Sequence, residues 1–238
     1  MEKLKGLIPF GLILGLCLII TGAMIARTFL EVKKLDNVVS VSGSAKQKVT
    51  SDSARWTGSF SRLVLKDEIR DGYASMKSDE KIVADFFKSQ GFTNIEISPV
   101  FMNEVYKNDS NAPKEYNLVQ SIEVKSDDVN KTKELAKNSD QLADKGVLFS
   151  PNSVEYYYSK LPELRVSLLP EAIKDAKDRA ASIAQSSGKD VDAIKSVSMG
   201  VVQVMSVGSI DVSDYGSYDT SNIEKEVMIT VKTVFGLK

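Results

Sequence analysis

From Leu7 to Ala26 the chain reads LIPFGLILGLCLIITGAMIA, with no charged position. A helix rising about 1.5 Å per residue over such a run spans about 30 Å, the hydrocarbon thickness of a bilayer. Lys3 and Lys5 precede the run; Arg27, Lys33 and Lys34 follow it, inside a charged tether, Arg27 to Asn37. Lysines ahead of the run predict an N-terminus held in the cytoplasm and export of the rest, although the basic residues behind it blur that rule. An uncleaved anchor accounts for the whole run. The alternative is a cleaved signal with Thr21-Gly22-Ala23 as its small-residue site.

After Val38 the period changes. Val39, Val41 and Gly43 alternate with Ser40, Ser42 and Ser44, which reads as a strand. Thr50 to Ser53 (TSDS) is turn chemistry. Ala54 to Leu65 is the return strand, with Trp56, Gly58, Phe60 and Arg62 on one set of alternating sites. Ile69, Tyr73, Met76, Val83 and Phe87 then recur at helical spacing, predicting a helix over Asp67–Gln90 that Gly91 ends. Asn94–Tyr106 and Glu115–Lys125 read as a long hairpin. A second helix is expected over Asp127–Lys145, capped by Ser126 and stopped by Gly146. Asn152–Ser159 reads as a strand. A third helix runs from Pro162 to Ser187, stopped by Gly188 and broken early by Pro170. It carries a narrow seam of Ala172, Ile173, Ala176, Ala180 and Ile183. Ile194–Val207 reads as a strand, and Gly208–Asn222 as a mobile Gly/Ser/Asp/Tyr loop. The last strand runs over Lys225–Lys238, with Val227, Ile229, Val231 and Thr233 on one face. Paired strands separated by helices predict an α+β fold, mostly antiparallel sheet with about three packed helices, preceded by one N-terminal transmembrane helix.

Composition narrows the function. The chain has 238 residues, a net charge of −1, no histidine and one cysteine, Cys17. Balanced charge gives no sign of a nucleic-acid binder, which should show a clustered basic face. Without histidine there is no Ser-His-Asp triad, Cys-His pair or His-ligated zinc, and no disulfide forms within one chain. Ser-Lys pairs, carboxylate pairs, tyrosine or a bound cofactor remain as routes to catalysis. Cys17 follows Leu16, where a lipobox needs a small residue, so it reads as an apolar membrane residue.

Three stretches in order carry a resemblance: VSVSGSAKQKVTSDSARW (Val39–Trp56), EAIKDAKDRAASIAQSSGK (Glu171–Lys189) and VMITVKTVFGL (Val227–Leu237). The chain resembles the SIMPL-domain proteins, a family of bacterial exported proteins. Val39, Val41, Gly43, Asp52 and Ala54 fit its opening motif, while Ser51 stands in place of the motif's proline. Asp175-Ala176, Arg179-Ala180 and Ile183-Ala184 fit its Ala-rich helix. The resemblance implies a periplasmic or cell-envelope protein without established catalysis. In that family a ring-like, channel-like homo-oligomer is known, some members relate to oxidative or envelope stress, and there is no catalytic residue set to carry over.

Several residues invite chemistry. Asp211, Asp214 and Asp219, with Tyr215 and Tyr218, lie in the Gly/Ser loop, but their spacing is too loose for a calcium site and lacks a bidentate glutamate; the tyrosines suit contacts better. Tyr156-Tyr157-Tyr158 reads as one core tyrosine with exposed neighbours, or as an oligomer contact. Ser44 and Lys46 make a nucleophile-base pair only if the lysine is desolvated. Asp67-Glu68, Asp127-Asp128 and Glu224-Glu226 sit at helix starts or strand edges, where acids have structural reasons to be. Trp56 is expected to pack under a helix, and Gly43 to permit a close approach.

The expected organisation is an anchor (1–26), a tether (27–37) and one α+β domain (38–238). The expected role is that of a non-enzymatic envelope protein, single-pass in the bacterial inner membrane, with its C-terminal domain in the periplasm. It would act as an oligomeric scaffold or channel-like assembly, with no catalytic, cofactor or metal residues assigned. Its partners would be copies of itself, the membrane through Leu7–Ala26, and an unidentified envelope protein. The alternatives are a periplasmic ligand- or protein-binding module and a hydrolase that works without histidine.

Overall fold

A computed structural model describes residues 2–35, 37–108 and 112–238. The elements in chain order are α1 (Glu2–Leu35), β1 (Val38–Thr50), β2 (Ser53–Leu65), α2 (Ile69–Ser89), β3 (Ile95–Ile97), β4 (Phe101–Val105) and β5 (Glu115–Ser126). There follow α3 (Val129–Lys137), α4 (Gln141–Asp144), β6 (Leu148–Tyr157), α5 (Leu161–Ser167), α6 (Leu169–Ser186), β7 (Val191–Met199), β8 (Gln203–Ser206), β9 (Ser217–Tyr218) and β10 (Glu224–Leu237). The α+β class and the mostly antiparallel pairing are as the sequence predicts; the strands form two sheets. The chain divides into two compact units: 1–45 with 168–201 and 229–238, and 46–167 with 202–228.

In the first unit α1 carries an apolar stretch, Leu12–Lys33, long enough to span a bilayer and wholly unburied. The helix runs on through the charged tether as far as Leu35. Asn37 is held by the end of the chain: its Nδ2 donates to Leu237 O at 2.8 Å and its carbonyl accepts the Leu237 N–H at 2.9 Å. Helix α6 meets β1 through small residues. Ala172, Ala176, Ala180 and Ala184, one per helical turn, have no exposed surface, whereas Ile173 is half-buried and Ile183 exposed. The seam is therefore narrower than predicted, a strict i, i+4 row of alanines. A Cβ on Gly43 would press on the Ala172 carbonyl and the Ala176 backbone and reach Ala176 Cβ at 2.7 Å. The glycine is there because helix and strand backbones nearly touch. The Ser44 N–H beside it donates to Asp175 at 2.8 Å, and Arg179 holds the same carboxylate at 2.9 Å.

In the second unit β5, β2 and β6 lie side by side, and β3 and β4 follow one another along the far edge of β5. The hairpin arm expected over Asn94–Tyr106 is thus two strands. Pro99 stands in the break, where a residue without an N–H cannot sustain a ladder. Helices α2, α3 and α4 cover one face of this sheet. Trp56 and Phe60 of β2, Met76, Val83 and Phe87 of α2, and Leu118 and Ile122 of β5 are core residues. Trp56 packs under α2 as predicted, its ring 5.4 Å from that of Phe87, and its indole N–H donates to Asn152 O at 2.8 Å. Arg62 shares the core-facing parity and reaches Asp79 of α2, a carboxylate 2% exposed, which its Nη2 meets at 2.7 Å.

Two other expectations are corrected here. The helix predicted over Asp127–Lys145 is split into α3 and α4 by turns at Asn138–Asp140. Its N-cap is Asp128, whose Oδ1 accepts the Lys131 N–H at 2.9 Å; Ser126 caps one step earlier, accepting the Asp128 N–H at 3.0 Å. Asp128 stands next to the first free N–H groups of the helix, two residues closer than Ser126, and so takes the cap. The strand predicted over Ile194–Val207 is two, β7 and β8, separated at Gly200–Val202. Both lie antiparallel to β10, β7 against Val231–Leu237 and β8 against Lys225–Met228. The predicted third helix is broken at Leu168, with Pro170 in the first turn of α6, and Gly91, Gly146 and Gly188 end their helices at positive φ.

Candidate functional site

The best-built polar cluster of the second unit lies where the segment Val207–Ile223 folds back on the end of β6. Its centre is Lys225, a side chain with no exposed surface. Lys225 continues the parity of Val227, Ile229 and Val231, so the strand points it inward with them. Its Nζ donates to Asn222 O at 2.6 Å and to Asp219 O, and sits 5.7 Å from the centre of the Tyr218 ring. Burial pushes the Lys225 ammonium below its ordinary range, against the pull of the Asp219 charge. Burial works against ionisation of Asp219 as well, but the Asn222 amide and the Ser221 N–H, both at 2.8 Å, hold its carboxyl below the ordinary value.

The tyrosine triplet frames this cluster. Tyr156 is buried, while Tyr157 and Tyr158 are half-buried. The Tyr218 hydroxyl accepts the Tyr158 N–H at 2.8 Å, and its ring stands 5.8 Å from that of Tyr157. Tyr157 OH donates to Glu155 at 2.8 Å, and Arg55 Nη2 meets the same carboxylate at 2.6 Å. The Tyr157 hydroxyl, with help from Arg55, keeps Glu155 low, whereas burial and the Glu155 charge push Tyr157 up. The β1–β2 turn closes the cluster. Asp52 accepts both the N–H and the hydroxyl of Ser159 at 2.8 Å, and the Ser51 N–H donates to Ile223 O at 2.9 Å. Ser51 Oγ is buried with no partner among the described residues.

This arrangement fixes backbone. The ammonium is aimed at main-chain carbonyls and has no opening to solvent, so it has no substrate to meet as base or nucleophile. Nearby, Lys133, Tyr156, Ser206, Asn222 and Glu224 border an open groove of about 420 Å³. A second groove of about 370 Å³ runs along the sheet past Thr57, Glu96, Ser98, Ser121 and Glu123.

The residues singled out from sequence are scattered. Asp219 turns into its own loop, while Asp211 and Asp214 are exposed. Lys46, which would have to be desolvated, is half exposed and paired with Glu226 at 2.9 Å; the Ser44 N–H is engaged by Asp175. Glu224 accepts from Thr50 at 2.9 Å, and Glu68 from the Leu65 N–H at 3.3 Å. Asp128 caps α3, and Cys17 is exposed on α1. Lys225 and Gln203 were not foreseen. The signal for Lys225 was its register with Val227, Ile229 and Val231.

The model of one family, SIMPL, described as a protein of unknown function (DUF541), matches residues 39–235. No curated protein matches the chain.

Proposed function

We propose that this chain, which belongs to the SIMPL family, is a single-span protein of the bacterial inner membrane whose SIMPL domain lies in the periplasm. It works there, without catalysis, as a homo-oligomeric scaffold or channel-like assembly in envelope or oxidative stress tolerance. The observation that carries this reading is strand β7. It pairs with β10 on one side, and among the described residues nothing pairs with its other edge. All but its first residue are exposed, including Ile194, Val197 and Met199. A nine-residue edge strand without proline, with apolar side chains in water, is a template for another strand unless something covers it. Copies held on one membrane by α1 meet at high effective concentration, so even a modest strand-to-strand contact suffices.

The test is the mass of the full chain extracted in mild detergent. Discrete oligomers are expected at micromolar protein, and Val197→Lys, a charge on the exposed strand, should shift them toward monomer. A strict monomer at that concentration overturns the reading.

A further inference from the structure

The segment Gly208–Asn222 is expected from composition to be mobile, yet the base of its first part, Gly208–Tyr218, is built like a socket. Gln203, 3% exposed, lies beneath it. Its Nε2 donates to Ser213 O at 2.6 Å, and its Oε1 accepts from Ser217 Oγ at 2.7 Å and from the Ser213 N–H at 3.4 Å. The Ser209 N–H returns to Ser206 O at 3.0 Å and the Gly216 N–H to Ser213 O at 3.1 Å. Gly208 and Gly216, at φ +83° and +85°, make the two bends. Strand β9 docks parallel to β8, and the buried Lys225 clamps the carbonyls on the far side.

On this fixed base the loop displays what a core would bury. Ile210 is 90% exposed, Val212 65% and Tyr215 96%. Asp211 and Asp214 alternate with them, are exposed, and pair with no cation among the described residues. Gly208–Asn222 contains no lysine or arginine. Exposed apolar side chains carried on a segment whose base is tied down by hydrogen bonds have the form of interface anchors, because less freedom is left to lose on binding.

We infer that Val207–Tyr218 is a recognition loop that docks into another protein, presenting Ile210, Val212 and Tyr215 to an apolar pocket whose rim is lysine- or arginine-rich. Charge decides the occupant. The acids between the anchors ask for a basic rim, and the same acids are repelled by an anionic lipid surface, which favours clustered lysine and arginine. A loop of this size makes a small contact, in the range of transient interfaces.

The experiment uses the full chain in its native membrane with a photo-crosslinking amino acid in place of Tyr215, and in a second variant in place of Tyr106. Tyr106 is 88% exposed on another part of the same unit and serves as the control. Illumination at 215 should give one discrete adduct, absent from 106, whose second peptide belongs to a different protein and maps to an apolar pocket with a basic rim. That protein, purified, is then titrated against the full chain. Ile210→Ser and the pair Asp211→Lys with Asp214→Lys should each weaken binding at least tenfold, and the wild-type affinity should fall several-fold as salt rises. All of these side chains are exposed, so folding is retained, which circular dichroism checks. No adduct at 215 beyond that at 106, an adduct to lipid or to a second copy of this chain, or binding indifferent to the charge reversals overturns the inference.

Discussion

At the scale of single residues, the closest tolerances lie where backbone meets backbone. Gly43 has no space for a methyl, because α6 crosses it at the Ala172 carbonyl and the Ala176 amide. Neither neighbour is a flexible tip that could swing aside, so Gly43→Ala should cost about 1–3 kcal/mol, the usual range for overpacking. Urea unfolding of the full chain in detergent would measure it, and a variant as stable as wild type would contradict the contact. Asp175 gives a pH signature at the same place. The Ser44 N–H, then Arg179, hold its carboxyl below the ordinary value of 3.8. A folded pKa below the unfolded one means that this contribution is complete above the ordinary value and is lost as pH falls through the folded one. Stability of wild type minus that of Asp175→Asn should therefore be level from pH 7 to about 5 and shrink toward zero in stronger acid. A difference that stays constant down to pH 2 would show that the carboxylate charge is not what Ser44 recognises.

At the scale of elements, the sequence was most legible where one face is buried and least where a turn or a polar anchor decides. The alternation around Trp56 and Phe60 places β2 correctly because one slip of register would turn every core side chain to solvent. Of the predicted α2 stripe, Met76, Val83 and Phe87 are buried, whereas Ile69 is half-buried and Tyr73, near the start of the helix, is exposed. The break at Asn138–Asp140 escaped, because periodicity carries across a short turn. The base of the Gly208–Asn222 loop escaped for another reason: its order comes from Gln203 and Lys225, and each reads as an ordinary polar residue until its strand register is known. That register carries a prediction. Gln203→Leu roughly keeps the volume but leaves the Ser213 N–H and the Ser217 hydroxyl without this acceptor and the Ser213 carbonyl with only the Gly216 N–H. Unpaired buried polar groups cost about 1–3 kcal/mol. The Ser213 amide should then exchange its hydrogen faster, by tenfold or more, while amides of β2 and β5 are unchanged; unchanged exchange at Ser213 would show that Gln203 does not hold the loop.

At the scale of the whole molecule, the feature that sets the protein's address is α1. Leu12, Ile13, Leu18, Ile19 and Ile25 are each more than 60% exposed, and leaving one such side chain in water rather than apolar surroundings costs about 1.5–3 kcal/mol. Over the Leu12–Lys33 stretch, which buries nothing, that sum requires an apolar host. Two fates satisfy it: a retained span, or removal as a signal after Ala23. They differ in mass and in fractionation. A retained span predicts a chain that still contains Leu12–Lys33, stays with membranes through alkaline carbonate and leaves only in detergent. It also predicts that protease added to spheroplasts digests the SIMPL domain and spares a fragment containing Leu12–Lys33. A cleaved signal predicts a mature chain beginning at Met24, free in the periplasmic fraction, and finding that chain would remove the tethering on which the high local concentration of copies depends. A domain protected in spheroplasts but digested in lysed cells would place it on the cytoplasmic side instead, against the orientation read from Lys3 and Lys5.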